Sequence, residues 1–184
     1  LGRLSSDYAV HQIILAAAAM VVCLFVPLVI EKFTIWERLG WYYAIAGVLF
    51  LLLVFVIGVE KYGSRNWIRL AGITVQPSEF VKIFFVFFIS SLLAKSTKFK
   101  DVVLITCAAA VHVVILVVEK DLGAALIYFI TYIMVLYVAT MNVAYLGAGL
   151  AGGTIAAVAA YRLFAHVRTR VYAWQDPWGT IQNE

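Results

Sequence analysis

The chain has 184 residues, 65% of them hydrophobic and 13% charged, with a net charge of +4 and a mean hydropathy of +0.99. Ordinary soluble domains are roughly half apolar and a quarter charged, so a free soluble domain is excluded and an integral membrane protein is indicated. The basic residues are scattered through loops, with no basic run interleaved with aromatics, so the charge points to membrane lipids or an anionic substrate and not to nucleic acid.

The apolar runs are about 16 to 20 residues long, the length of a helix that crosses a bilayer, and they lack the alternation of a barrel strand. The expected fold is all-α, a polytopic transmembrane helix bundle with about six spans in a single domain. After a short lead with Arg3 and Asp7, the first span covers 11–30. A charged loop with Lys32, Glu37 and Arg38 leads to the second, 41–59, opened by Trp41, Tyr42 and Tyr43 as an interface belt. Residues 63–78 read as a polar, turn-rich loop carrying Arg65, Trp67 and Arg69. The third span is 79–94, followed by a short basic loop with Lys95, Lys98 and Lys100. The fourth, 102–118, is interrupted by His112 alone, and Glu119, Lys120 and Asp121 make a charged joint to the fifth, 122–140. The tight Met141-Asn142 connection leads to the sixth, 143–161, and from Arg162 the chain is polar and aromatic again. The chain starts at Leu1 and stops at Glu184 within a polar stretch, which reads as a fragment of a longer protein.

Within the sixth span Gly149 and Gly153 stand four apart, leaving one helix face nearly bare for a close neighbour. Cys23 and Cys107 lie in apolar runs and read as buried, hydrophobe-like thiols without metal spacing. His112 reads as a satisfied helix-packing histidine. Gln76-Pro77-Ser78-Glu79 reads as a helix start, because proline has no N–H to leave unsatisfied at the first helical position. Glu79 then faces the positive end of the helix dipole. Glu79 and Lys82 are three apart and share a face. An ionisable pair at the lip of a membrane helix marks a candidate functional site. Taken singly, Trp67 fits an interface aromatic, Lys82 a snorkelling cation and Asp121 a helix cap. The Arg168, Arg170, Trp174, Asp176, Trp178 cluster fits an amphipathic interfacial segment.

The order of these pieces carries more than any one of them. G-S-R-N-W-I-R-L (63–70), Q-P-S-E-F-V-K-I (76–83), D-L-G-A-A-L-I (121–127) and R-V-Y-A-W-Q-D-P-W (170–178) follow one another. In this the chain resembles the SEDS family (shape, elongation, division and sporulation), whose members include RodA, FtsW and SpoVE. The resemblance runs from about the family's second helix into the large outer loop after its seventh. It implies a glycosyltransferase that polymerises peptidoglycan strands from lipid II with a class B penicillin-binding protein as partner, in the bacterial cytoplasmic membrane. It leaves open whether the role is elongation, division or sporulation. It also implies that the Trp67 loop, the Asp121 joint and the Asp176 loop face outward and that 95–101 is cytoplasmic. That orientation opposes the positive-inside count, since the outward side would hold eight basic residues (Arg3, Lys61, Arg65, Arg69, Lys120, Arg162, Arg168, Arg170) against five (Lys32, Arg38, Lys95, Lys98, Lys100).

Under that resemblance the expected substrate-binding residues are Arg65, Trp67, Gln76, Glu79, Lys82, Asp121, Arg168 and Arg170. Arg65, Lys82 and Arg168 or Arg170 would oppose the charge of a departing lipid pyrophosphate. Trp67 would stack on a sugar or a lipid stem, and Glu79 would hold Lys82 charged and aimed. Asp121 would pair with Lys82 or Lys120, or bind a divalent cation bridging phosphates, the sole cofactor candidate. The general base would be an Asp beyond Glu184, so the fragment alone is expected to be inactive. Asn66 stands where the family often has a second Arg, and Glu119-Lys120 where it often has Gln-Pro. A lipid II flippase and a non-catalytic scaffold for a penicillin-binding protein are the competing readings. The clustering of polar residues on one side favours an outer groove over a path open to both faces.

Overall fold

The computed structural model describes residues 6–30, 38–61, 64–70 and 73–176. They fall into two units, 1–38 and 39–184, each taken by itself. In the first unit α1 (Ser6–Ile30) is a helix with Pro27 inside it, and its apolar part covers Gln12–Leu28. In the second unit α2 (Gly40–Ile57) leads into three strands, β1 (Val59–Lys61), β2 (Ser64–Leu70) and β3 (Ile73–Val75). Five helices follow: α3 (Pro77–Lys95), α4 (Phe99–Val118), α5 (Leu122–Thr140), α6 (Val143–Leu163) and α7 (Ala165–Gln175). Among the described residues five helices, α2 to α6, are long and apolar enough to cross a membrane, close to the about six spans expected.

The stretch expected to be a turn-rich loop is instead a small antiparallel sheet in the order β1-β2-β3. Val59 pairs with Trp67, and Ile68 with Val75. The β-branched and aromatic residues Val59, Trp67, Ile68 and Val75 favour this pleated, half-buried surface. The sheet packs against α2 and α3 through β2. Asn66 and Ile68 are buried, Trp67 is half-buried and Arg69 exposed, the alternation a strand imposes.

Helix packing follows spacings of three and four. The buried stripe of α2 is Gly40, Ala44, Gly47, Leu51 and Val54. That of α3 includes Ser78, Val81, Phe85, Phe88 and Leu92, and that of α4 is Val102, Ile105, Ala109, His112 and Leu116. Such stripes put one face of each helix against its neighbours. The central helices are α3 and α5: α3 packs on α2, α4 and α5, and α5 packs on α3, α4 and α6. His112 is buried between rings, stacked on Phe88 at 5.8 Å and edge-on to Phe85 at 5.3 Å, with Nδ1 2.9 Å from the Ala108 carbonyl. Its packing role is as expected, but it is not fully satisfied, since the buried Nε2 has no hydrogen-bond partner among the described residues; an added Cβ at Gly47 would stand 2.8 Å from that atom. The Gly149–Gly153 face receives α5: a Cβ at these positions would meet the Ile133 and Phe129 side chains. Cys23 and Cys107, expected to be buried, are both exposed on their helices. On membrane helices such positions are solvated by lipid, which suits a thiol as well as a protein core does.

Candidate functional site

Consecutive helices with short connections run antiparallel, so the start of α3, the α4–α5 joint, the sheet and α7 all gather at one end of the bundle. The joint is the organising element. Lys120 takes the left-handed backbone conformation (φ 64°), Lys120 N–H donates to the Val117 carbonyl at 3.1 Å, and Asp121 N–H to the Leu116 carbonyl at 2.9 Å. This is the reciprocal pattern that closes a helix C-terminus. The next residue position opens a new helix: Asp121 Oδ1 accepts from the Ala124 amide at 3.2 Å as N-cap of α5. One residue therefore ends α4, starts α5 and still has an oxygen free for a third helix.

That third contact goes to α3. Gln76 Nε2 donates to Asp121 Oδ2 at 2.5 Å and Ser78 Oγ donates to the same oxygen at 3.1 Å. The Tyr128 hydroxyl donates to the Ser78 carbonyl at 2.8 Å, tying the first turn of α3 to α5 a second time. Pro77 at the first helical position leaves no amide orphaned there. Lys82 Nζ lies 2.8 Å from both Glu79 oxygens. The Lys82 side chain is 27% exposed and that of Glu79 57%, so the pair is water-accessible. Exposed pairs contribute about 0–1 kcal/mol, so this one adds little to the stability of the fold.

Beside Asp121 sits Glu119, 4% exposed, with no hydrogen-bond partner for either oxygen among the described residues. Burial, aided by the nearby Asp121 charge, pushes its carboxyl up to about 8, so it is largely protonated at neutral pH. From α7, a ring nitrogen of His166 stands 3.1 Å from the Val117 carbonyl, anchoring that helix at the joint.

The eight expected residues sort as follows. Gln76 and Asp121 are brought into direct contact, and so are Glu79 and Lys82. Asp121 takes α3 donors and its own helix amide, whereas Lys82, one of its expected partners, pairs with Glu79. Trp67 is half-buried on β2 of the adjoining sheet. Arg65 lies in β2, and its side chain is outside the described residues. Arg168 and Arg170 are exposed on α7 at this end. Trp178, and Pro177 of the D-P-W motif, lie outside the described residues. For the expected divalent cation, the described residues hold no group of three His, Cys, Asp or Glu side chains suited to a metal. Both Asp121 oxygens accept hydrogen bonds, from Gln76, Ser78 and the Ala124 amide.

Sequence reasoning missed Ser78, Tyr128 and Glu119 as members of this cluster. The signal for Glu119 was present, since it continues the buried α4 stripe three residues after Leu116. Tyr128 stands seven residues after Asp121 on the same face of α5. Asn66 was read as a departure in a phosphate clamp. It is instead 6% exposed beneath β2, with Oδ1 lacking a partner among the described residues.

The FtsW/RodA/SpoVE model, described as cell cycle protein, matches residues 5–184. The peptidoglycan glycosyltransferase RodA of Mycobacterium tuberculosis is 33% identical over 160 residues, covering 77% of this chain and 34% of that protein. The probable peptidoglycan glycosyltransferase FtsW of Acinetobacter baylyi is 33% identical over 182 residues, covering 92% of this chain and 44% of that protein. The chain thus spans between a third and a half of the length of these curated relatives. Among solved structures, one described as the structural coordination of polymerization and crosslinking by a peptidoglycan synthase complex aligns with a TM-score of 0.63 at 25% identity, over 88% of this chain and 50% of that one. The rod shape determining protein RodA of Thermus thermophilus aligns with a TM-score of 0.55 at 26% identity, over 65% of this chain and 40% of that one. A family model matched over nearly the whole chain, together with helices long and apolar enough to span a bilayer, settles the assignment: this chain belongs to the FtsW/RodA/SpoVE family of multi-pass bacterial membrane proteins.

Proposed function

We propose that this chain supplies the lipid-diphosphate-binding face of a peptidoglycan glycosyltransferase that polymerises lipid II at the outer face of the cytoplasmic membrane. The observation that carries the reading is the clamp at one bundle end: Asp121 held by Gln76 and Ser78, one helical turn from the Glu79–Lys82 pair. The relatives named peptidoglycan glycosyltransferase support it. In glycan polymerisation an acceptor sugar hydroxyl attacks the anomeric carbon of the donor, the bond from that carbon to the diphosphate oxygen breaks, and the hydroxyl proton passes to a base. Negative charge builds on the departing diphosphate, and a fixed cation in a partly dry site lowers that barrier most. Lys82, paired with Glu79, is the cation we assign to this role, with Arg65, Arg168 and Arg170 as further cations and Trp67 as a stacking surface for a sugar or lipid stem. Asp121 is read as a positioning residue, because its oxygens already accept from Gln76, Ser78 and Ala124. The base is assigned to a carboxylate other than those in this cluster. A class B penicillin-binding protein is the proposed partner, on the strength of the similarity to a chain of a peptidoglycan synthase complex.

The test is polymerisation of purified lipid II by the full-length protein with its cross-linking partner. Lys82→Ala is expected to slow glycan formation by about a hundred-fold, the usual effect of deleting one charge-stabilising group. Trp67→Ala is expected to shorten the chains. Unchanged rate and polymer length in both variants remove these residues from the site. Headgroup translocation in liposomes without any polymer would replace the proposal with a transporter.

A further inference from the structure

At the end of the bundle opposite Asp121 lies a cleft of about 180 Å3 between the α3–α4 connection and the start of α2. Lys95, Ser96 and Asp101 form its polar mouth, with Leu92, Ile105 and Trp41 around its inner wall. A second cavity, of about 240 Å3, runs between α2 and α4 and shares Trp41 with the first. Its walls are Ala44, Val48 and Leu49 of α2 and Ala108 and Val111 of α4, with the buried His112 among them.

We propose that these two adjacent cavities, which share Trp41, act as one binding site for a phospholipid with an anionic headgroup, the phosphate at the Lys95 mouth within reach of Lys98 and Lys100 and one acyl chain in the α2–α4 groove. Charge complementarity argues for the headgroup. Lys95, Lys98 and Lys100 are exposed within six residues, and none has a carboxylate within ion-pair distance among the described residues. Asp101 at the mouth accepts from the neutral Ser96 hydroxyl, which does not offset its charge, so the three lysines outnumber the one acid there. The last-turn position of Lys95 complements the α3 dipole, but Lys98 and Lys100 lie beyond that helix and have no such role. Shape argues for the chain. From Asp101 to His112 the groove follows α4 for about 16 Å at the helical rise of 1.5 Å per residue, comparable to much of an extended fatty-acyl chain, and its lining is apolar but for His112 and the Trp41 indole. Basic pockets between membrane helices are a recurrent form of lipid headgroup recognition. The site is independent of the diphosphate clamp, which sits at the other end of α3 and α4.

The test uses the full-length protein in a neutral detergent and native mass spectrometry with dioleoylphosphatidylglycerol and dioleoylphosphatidylcholine, which differ in headgroup charge and share acyl chains. The glycerol lipid is expected to bind roughly ten-fold tighter, as a few lysines near an anionic headgroup imply. Lys95→Gln, Lys98→Gln and Lys100→Gln together should bring it to the level of the choline lipid. Val48→Phe, which fills the groove, should weaken both lipids. Equal affinity for the two lipids in the parent protein overturns the headgroup site, as does a preference that survives the triple substitution. Undiminished binding in Val48→Phe overturns the groove as the acyl seat. An unchanged thermal midpoint shows that each variant is folded.

Discussion

Replacing Asp121 with alanine removes, in one step, the cap of α5 and the acceptor that ties α3 to the joint. The cap alone accounts for about 1 kcal/mol. The Gln76 and Ser78 bonds end on a carboxylate oxygen, and hydrogen bonds to charged groups contribute about 1.5–3 kcal/mol each. The three share one side chain and do not add, so a loss of about 2–4 kcal/mol is expected. Asp121→Asn is the informative contrast. Its oxygen can still cap Ala124, and Gln76 can turn its amide so that the carbonyl accepts from the new NH2 group, with Ser78 rotating its hydroxyl to match. That variant should lose about 1 kcal/mol. Thermal or SDS-induced unfolding of the full-length protein reads both, and a cycle with Gln76→Ala should return a coupling of about 1 kcal/mol or more for residues in direct contact. If Asp121→Ala falls within about 0.5 kcal/mol of the parent, the level of an ordinary surface substitution, the joint does not organise this end of the bundle and the reasoning fails.

Glu119 should make stability depend on pH. Its folded carboxyl titrates at about 8 against an ordinary value of 4.5, through burial and the Asp121 charge. Between those values the folded protein keeps a proton that the unfolded chain releases. Stability is therefore fully present below about 4.5 and declines as pH rises through 8. Glu119→Gln mimics the protonated form and should flatten that slope and raise the unfolding midpoint at pH 8. An unaltered slope would show that Glu119 is not buried without a partner. Glycine substitutions should separate packed from open faces. Gly47→Ala drives a Cβ to 2.8 Å from His112 Nε2 and 3.1 Å from Val81 Cγ1, and should cost about 1–3 kcal/mol. Gly152→Ala meets nothing within 4 Å and should be neutral, or gain up to about 1 kcal/mol from helix propensity, in the same unfolding assay.

Much of this molecule can be read from residue order. Apolar run length places the spanning helices within a few residues, because a bilayer imposes one length on any helix that crosses it. The Gln76-Pro77-Ser78-Glu79 start, the Glu79–Lys82 pair and the Gly149–Gly153 face are local in sequence and appear as expected. Residues 64–75 misled because Gly, Ser, Arg and Asn suggested turns, whereas Trp67, Ile68 and Val75 find a hydrophobic floor on α2 and α3 and pair as strands. The partner of Asp121 was also illegible. Local spacing offered Lys82 and Lys120, but Gln76 and Ser78 reach it from 45 and 43 residues away once α3 and α5 pack together.

The sequence by itself determined that this protein lies in a membrane, where its helices begin and end, and which residues carry charge at their ends, because those properties depend on neighbours one or two turns away. Only the tertiary structure decided that one carboxylate joins three helices and that its neighbour Glu119 is sealed from water. It also decided that Trp41 lines both a cleft with Lys95 at its mouth and an apolar groove between α2 and α4. The physical reason is that hydrogen-bond partners and dielectric surroundings are set by the packing of distant segments, and no local pattern encodes them.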